Sequence, residues 1–354
     1  MSEHQQKFIA AVAQISPVFP LNKTLSTEKA CGYIEQAAKN GAKIVVFPEC
    51  YLPAYPNWSI DLSKPTEWPL NLRELTYNSV EVDSPEINKI RSLARANSIY
   101  VVIGINERQK PYDGVLYNSL VFIDSRGDVQ LTHRKVFPSN REKVFHRRGD
   151  GSTLKVIETP FGRLGGLICY EHLQPLLKYA LIGQGEQIHC ASWPGWPCYP
   201  SGRSNKHVID IASRQCALEG QSFVLISSVY VPPEEGEKSG FGNASWTFFG
   251  GSGIVNPNGE YISGPIYDKE SIIYGEIDLG QIILRKSAVD TTGRDARWNI
   301  INLNINGCEE QPIVYGKGSS NRDDLTQKIL KNMKELSAKM ETLIELEKSG
   351  SSPN

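Results

Sequence analysis

The 354-residue chain reads as an α/β protein, an α-β-β-α sandwich of two mixed sheets flanked by helices. Three observations point there. Short apolar runs rich in Val and Ile alternate with segments of helical spacing. Hairpin signals interrupt that alternation in both halves. The second half also repeats the pattern of the first without repeating its sequence, as two packed sheets would require.

Taken in order, residues 7–15 read as a strand. Residues 26–40 carry Ala30, Ile34, Ala37 and Ala38 at helical spacing and close on Asn40-Gly41, a C-cap signal. KIVVFP at 43–48 is a short apolar run suited to a strand covered on both faces. Ser84-Pro85-Glu86 begins a helix, an N-cap followed by Pro in the first turn, whose buried face is Ile87, Ile90, Leu93 and Ala94. Residues 100–107 form the next strand. Residues 116–124 and 129–135 flank Ser125-Arg126-Gly127-Asp128 as a hairpin.

The second half predicts a strand over 163–169, a helix over 173–182 and a strand over 187–193. A helix over 204–219 and a strand over 222–229 follow, and Pro257-Asn258-Gly259 turns a late hairpin. After Tyr315 the composition changes. The expected organisation is one main domain over 1–316, then a linker and C-terminal amphipathic helix and tail over 317–354. That helix, 323–348, spaces Leu325, Ile329, Met333, Leu336, Met340 and Leu343 at roughly heptad intervals, and 349–354 read as a disordered tail.

Apolar residues make up 40% and charged residues 22%, with a formal net charge of −1. Without a basic stripe the chain offers nothing to a nucleic acid. The N-terminus lacks a signal region, and no apolar run reaches the length of a membrane span, so a soluble cytoplasmic protein is expected. The seven cysteines are odd in number and scattered, unlike a secreted disulfide framework, and none forms a C-x-x-C pair that would suggest zinc.

Chemistry is suggested where an apolar strand ends at Cys169, within Gly-Gly-Leu-Ile-Cys-Tyr-Glu-His at 165–172. A strand-to-helix turn holds a nucleophile rigidly and aims backbone N–H groups at it. A lone Cys is more often a small buried hydrophobe. Glu49, at the exit of 43–48, is either a solvated loop carboxylate or a half-buried base. Lys135 and Glu142, taken singly, read as surface charges.

Together these residues say more. Phe47-Pro48-Glu49, Arg134-Lys135 with Glu142 seven positions on, and Cys169-Tyr170-Glu171-His172 occur in this order and resemble the nitrilase superfamily, in its nitrilase branch. Tyr51-Leu-Pro-Ala-Tyr-Pro56, Gly149-Asp-Gly151, residues 160–165 and residues 186–194 are similar to its neighbouring segments, so the resemblance runs from about residue 7 to 306. It implies the α-β-β-α fold, no cofactor and no metal. It also implies Cys169 as nucleophile, Glu49 as general base, Lys135 as cationic stabiliser and Glu142 as the carboxylate that positions Lys135. Tyr170, Ala54, Lys143 and the 293–298 segment depart from the usual pattern and bear on pocket shape.

The implied reaction converts an organic nitrile to a carboxylic acid and ammonia through a thioimidate and a thioester. Tyr51, Tyr55, Trp58, Trp193, Trp196 and Tyr199 crowd the nearby loops, each either core or part of an apolar pocket. Tyr170, Trp193, Pro194, Tyr55 and His146 are the substrate-binding candidates, with a solvated loop position the alternative for His146. An amidase or carbamoylase, a cyanide-hydrating enzyme and a non-catalytic scaffold on the same fold are the rivals. The resemblance further implies a homo-oligomer, a dimer or a larger spiral, with the C-terminal helix at an interface.

Overall fold

The computed structural model describes residues 7–56, 65–112, 114–195, 206–236, 248–311, 313, 329–337 and 339–341. The chain divides into two compact units, 1–309 and 310–354, a boundary somewhat earlier than the expected 316/317.

In the first unit, β1 (Lys7–Gln14) leads to α1 (Lys23–Lys39) and β2 (Ala42–Val46). Helices α2 (Trp68–Asn78) and α3 (Pro85–Ala96) precede β3 (Tyr100–Arg108), β4 (Leu116–Ile123) and β5 (Val129–Arg134). The second half runs β6 (Ile157–Thr159), β7 (Gly162–Ile168), α4 (Pro175–Ile182), β8 (Ile188–Trp193), α5 (Lys206–Gly220) and β9 (Phe223–Ser228). It continues through β10 (Tyr230–Val231), α6 (Pro233–Gly236), β11 (Phe248–Val255), β12 (Tyr261–Tyr267), β13 (Ser271–Asp278) and α7 (Gly280–Ala288).

Two sheets result. The first has the order β13-β1-β2-β3-β4-β5, and the second β10-β11-β9-β8-β7-β6 with β12 on β11. Each is built on a parallel triplet, β1-β2-β3 in one and β7-β8-β9 in the other, extended by antiparallel strands. The inner faces meet through Val12, Val46, Val102 and Leu120 on one side and Ile168, Cys190, Leu225 and Ile254 on the other. Helices α1 and α3 cover the outside of the first sheet, packing Ala30, Ile34, Ile87, Ile90 and Ala94 on Val45, Val101 and Ile103. Each fully buried Val or Ile of this kind stabilises the fold by about 1.5–3 kcal/mol.

Local chemistry explains where the elements begin. Asn22 accepts the Leu25 N–H and starts α1 earlier than the apolar spacing alone suggests. Ser84 caps α3 through the Ile87 N–H, as expected from Ser-Pro-Glu. The helix expected from 173 begins instead at Pro175. Cys169–Leu173 forms a 3-10 turn, and Gln174 is extended as the residue before a proline prefers. The 257–259 turn separates β11 from β12, and β13 then crosses to pair antiparallel with β1. No helix of the described residues is long and apolar enough to cross a membrane.

Of the C-terminal segment, 329–337 and 339–341 are helical, and Ile329, Met333, Leu336 and Met340 are exposed within their unit. Leu325, Leu343, the 316–322 linker (together with 314–315 and 323–328) and the 349–354 tail lie outside the described residues.

Candidate active site

The chain leaves β2 through Phe47-Pro48-Glu49, pinned by the Phe47 N–H on Val102 O at 2.7 Å and by the Glu49 N–H on Trp193 O at 3.4 Å. The second of these bonds ties the first sheet's exit loop to the end of β8. Cys50 then takes φ +48°, the left-handed region. Gly104 makes room for this turn: a Cβ there would fall 2.2 Å from Pro48 O and 2.8 Å from the Glu49 Cα. Glu49 is thereby placed fully inside the protein, so the solvated-loop reading of this residue is set aside.

Lys135 follows β5 and is also buried, its N–H on Asn118 O at 2.8 Å. Glu142 sits in the 3-10 turn Asn140–Val144. The Ser139 N–H and Oγ–H both donate to Glu142 Oε2, at 2.8 and 3.0 Å, so a Ser-x-x-Glu cap turns this carboxylate inward. Burial overturns the surface-charge reading of both Lys135 and Glu142.

The three groups converge. Lys135 Nζ donates to Glu49 Oε1 at 2.7 Å and to Glu142 Oε2 at 2.9 Å. Asn118 Nδ2, from β4, donates to both carboxylates at 2.6 Å. His146 is no solvated loop residue: it is buried, with Nδ1 3.2 Å from Glu142 Oε1 and Nε2 2.8 Å from Asn106 Oδ1. It also borders a cavity of about 530 Å³ with Phe137, Pro138, Lys143, Arg147 and Arg148.

One ammonium between two buried carboxylates cannot neutralise both. Burial disfavours the Glu142 anion, but the Lys135 charge and the His146 bond outweigh it and hold its pKa below the ordinary value. At Glu49 burial prevails over Lys135, and the carboxyl is pushed up to about 7. Burial also disfavours the Lys135 cation, yet the two carboxylates raise its pKa well above the usual lysine range. Glu49 Oε2 is the carboxylate oxygen of this cluster that is buried with no hydrogen-bond partner among the described residues.

Cys169 begins the 3-10 turn at the end of β7, buried and at φ +50°. A non-glycine residue held there is strained, and such strain concentrates at reacting positions. An anion at Cys169 would act on Lys135, Tyr55 and Cys50, so this residue lies within electrostatic reach of the lysine–carboxylate cluster. Glu171 braces the arrangement. Its Oε2 accepts the Ile168 N–H at 2.9 Å and faces His133 Nε2 at 2.9 Å, while its Oε1 accepts the Val136 N–H at 2.7 Å. One buried carboxylate therefore holds both the residue before Cys169 and the residue after Lys135. The result is a buried thiol beside a base poised near neutrality and a fixed cation, a set suited to covalent attack on an electrophilic carbon.

The remaining candidates separate. Tyr55 is buried, and burial together with the charge of Glu142 pushes its phenol well above the ordinary range. Trp193 is buried at the end of β8 with its ring stacked on His172, centroids 4.9 Å apart. Pro194 follows it, also buried, whereas the Tyr170 side chain is 44% exposed. Trp58, Trp196 and Tyr199 lie outside the described residues. Sequence reasoning passed over Asn118, Ser139, Asn106 and Glu171. An Asn inside each of the apolar strands 116–124 and 100–107, and the Ser-x-x-Glu spacing at 139–142, were the available signals.

A family model described as carbon-nitrogen hydrolase matches residues 9–286. The chain belongs to this family. It is 35% identical over 327 residues to an aliphatic nitrilase of Rhodococcus rhodochrous, covering 88% of this chain and 86% of that protein. It is 36% identical over 315 residues to an arylacetonitrilase of Aspergillus kawachii, covering 86% and 93%. Among solved structures, a carbon-nitrogen hydrolase from Helicobacter pylori superposes with TM-score 0.65 at 21% identity, covering 83% of this chain and 96% of that one. An amidase from Nesterenkonia sp. does so with TM-score 0.61 at 17% identity, covering 83% and 94%. Those structures share the fold of this carbon-nitrogen hydrolase, the sandwich expected from its sequence.

Proposed function

We propose that this carbon-nitrogen hydrolase is a nitrilase, converting an organic nitrile and two waters to a carboxylic acid and ammonia. The observation that carries the reading is the buried lysine held by two carboxylates, one of which keeps an unpartnered oxygen and a pKa near neutrality. Similarity to nitrilases at about a third identity along most of the chain supports the substrate class.

The Cys169 thiol gives its proton to Glu49 as sulfur attacks the nitrile carbon. The electron pair moves to nitrogen, where Lys135 and the Tyr170 N–H stabilise the developing charge, and Glu49 passes the thiol proton on to that nitrogen to form a thioimidate. Glu142 holds Lys135 charged and aimed. Water then loses its proton to Glu49 and adds to the thioimidate carbon. The nitrogen leaves as ammonia, and a thioester remains. A second water, activated the same way, breaks the C–S bond and releases the acid. Tyr55, Trp193, Pro194, Tyr170 and His146 are assigned to the substrate pocket, Tyr55 as an apolar wall and His146 through Glu142.

Ammonia release from aliphatic, aryl and arylacetic nitriles, cyanide and the matching amides tests this. Turnover of at least one organic nitrile well above its amide is expected, whereas turnover of amides alone would identify an amidase.

The protein is also proposed to be a homo-oligomer that works in the cytoplasm, without nucleic-acid or membrane partners. Leu173, Leu176, Ile211 and Leu218 on the 3-10 turn, α4 and α5 are exposed apolar side chains that a second copy would cover. Ile329, Met333, Leu336 and Met340 offer another. Light scattering on the full-length chain should give at least a dimer, and on a chain ending before Gly318 a smaller assembly. A full-length monomer would end the proposal.

A further inference from the structure

A second buried chain of polar groups ends on the Cys169 carbonyl. Both Glu186 carboxylate oxygens lie 3.0 Å from His189 Nδ1. His189 Nε2 lies 2.9 Å from His172 Nε2, and His172 Nδ1 lies 2.8 Å from the Cys169 carbonyl oxygen. His172, His189 and Glu186 are all buried, so water cannot rearrange their protons. Lys178 of α4 acts on His172, and the Cys216 thiol of α5 packs on His189.

Hydrogen-bond chemistry fixes the proton inventory. A backbone carbonyl only accepts, so His172 Nδ1 carries a hydrogen. The two facing Nε2 atoms share one hydrogen, and one more lies between His189 Nδ1 and Glu186. Three protons on three groups make the chain neutral as a whole. The carboxylate favours the charge on His189, leaving His172 neutral with Nε2 as acceptor. Burial and the His189 charge hold the His172 pKa low, and Glu186 with Cys216 holds that of His189 high against burial, in keeping with this order.

We propose that His172 is a positioning residue, locked by His189 and Glu186 in the tautomer that grips the Cys169 carbonyl and so aims the Tyr170 N–H at the reacting nitrogen. The reason is peptide planarity. In a trans peptide the C=O of Cys169 and the N–H of Tyr170 point in opposite directions, so anchoring one orients the other. Cys169 at φ +50° would otherwise relax out of the left-handed region and turn that N–H away. The inference rests on Cys169 being the nucleophile.

Two variants of similar size and polarity separate the roles. The Asn side-chain nitrogen can stand where His172 Nδ1 stands, whereas Gln reaches the Nε2 position and abandons the Cys169 carbonyl. His172→Asn is expected to retain kcat on a nitrile substrate within about threefold. His172→Gln is expected to lower kcat about thirtyfold with KM changed less than threefold. Labelling of Cys169 by iodoacetamide, mapped by mass spectrometry, should stay within threefold in both, because alkylation builds no charge that the Tyr170 N–H must hold. Equal kcat in the two variants, a larger loss in His172→Asn, or kcat and labelling falling in proportion would overturn the proposal. Failure of wild-type Cys169 to label ahead of the other thiols would instead overturn the nucleophile assignment on which it rests.

Discussion

Two buried carboxylate centres lie within one molecule and are built to opposite specifications. Around Glu171 both oxygens are partnered, by two backbone N–H groups and His133, and these contacts hold its pKa low against burial. Around Glu49 the supply stops short, with Lys135 and Asn118 on Oε1 and, among the described residues, nothing on buried Oε2, and the pKa rises. Burial is equal at the two sites. What differs is the count of donors and the Glu142 charge beside Glu49, and this suits Glu171 to be a brace and Glu49 to take a proton.

Substitutions can break that distinction. The largest effect is expected for Cys169→Ala, where nitrile turnover should fall below about 0.1% of wild type, a loss of about 4 kcal/mol in the chemical step. The melting temperature should shift by no more than a few degrees. Turnover above about one per cent would remove the thiol from the mechanism.

Lys135→Ala and Glu142→Ala should each lower kcat about a hundredfold, and the double variant should be little worse than Lys135→Ala. Groups that act as a unit are non-additive. If the two losses multiply in steady-state kinetics, Glu142 does not act through Lys135.

Glu171→Gln should invert the pattern. An amide nitrogen would confront one of the N–H groups the carboxylate now accepts, costing about 2–4 kcal/mol of stability in urea titration. Turnover of the folded fraction should fall less than tenfold. A stability unchanged within about 0.5 kcal/mol would show that Glu171 is no brace.

The smallest change in stability concerns pH. Glu49 must be ionised to accept a proton, so kcat/KM should fall about tenfold per unit as pH drops below about 7. The sign for stability is the reverse. A carboxyl whose folded pKa is raised costs the fold stability as pH climbs from its ordinary 4.5 through about 7. Glu49→Gln should therefore be inactive yet melt no lower, and about 1 kcal/mol more stable, at pH 8. A variant less stable at pH 8 than at pH 5, relative to wild type, would contradict the raised pKa.

Much of this was legible in the sequence. The strands that make up the parallel triplets, the Ser84 cap and the 125–128 hairpin follow from local pattern, apolar runs marking strands buried on both faces. The pairing of β13 with β1 was not, since more than 250 residues separate partners such as Gln14 and Ser271 and no local rule sets that register. Helix α2 was missed for a different reason: only Leu75 among its residues is buried, which leaves no apolar stripe to read. At the site, residue order exposed Glu49, Lys135, Glu142 and Cys169, but their burial was invisible, because a charged side chain looks the same in sequence whether solvated or enclosed. Asn118 and Glu171 show the corresponding gap, polar residues whose meaning depends on partners from other elements.

The parallel triplets also set a timetable. Glu49 and Lys135 emerge from the first sheet, and Cys169 from the second. During synthesis, a chain about 150 residues long holds Glu49 and Lys135 but not yet Cys169, and the strand completing the first sheet, β13, is still unmade. On the proposed mechanism, Cys169 therefore meets its base only once both sheets have closed on each other. On that mechanism a half-made chain turns no nitrile over, and the first turnover by a newly made molecule reports that its two sheets have met.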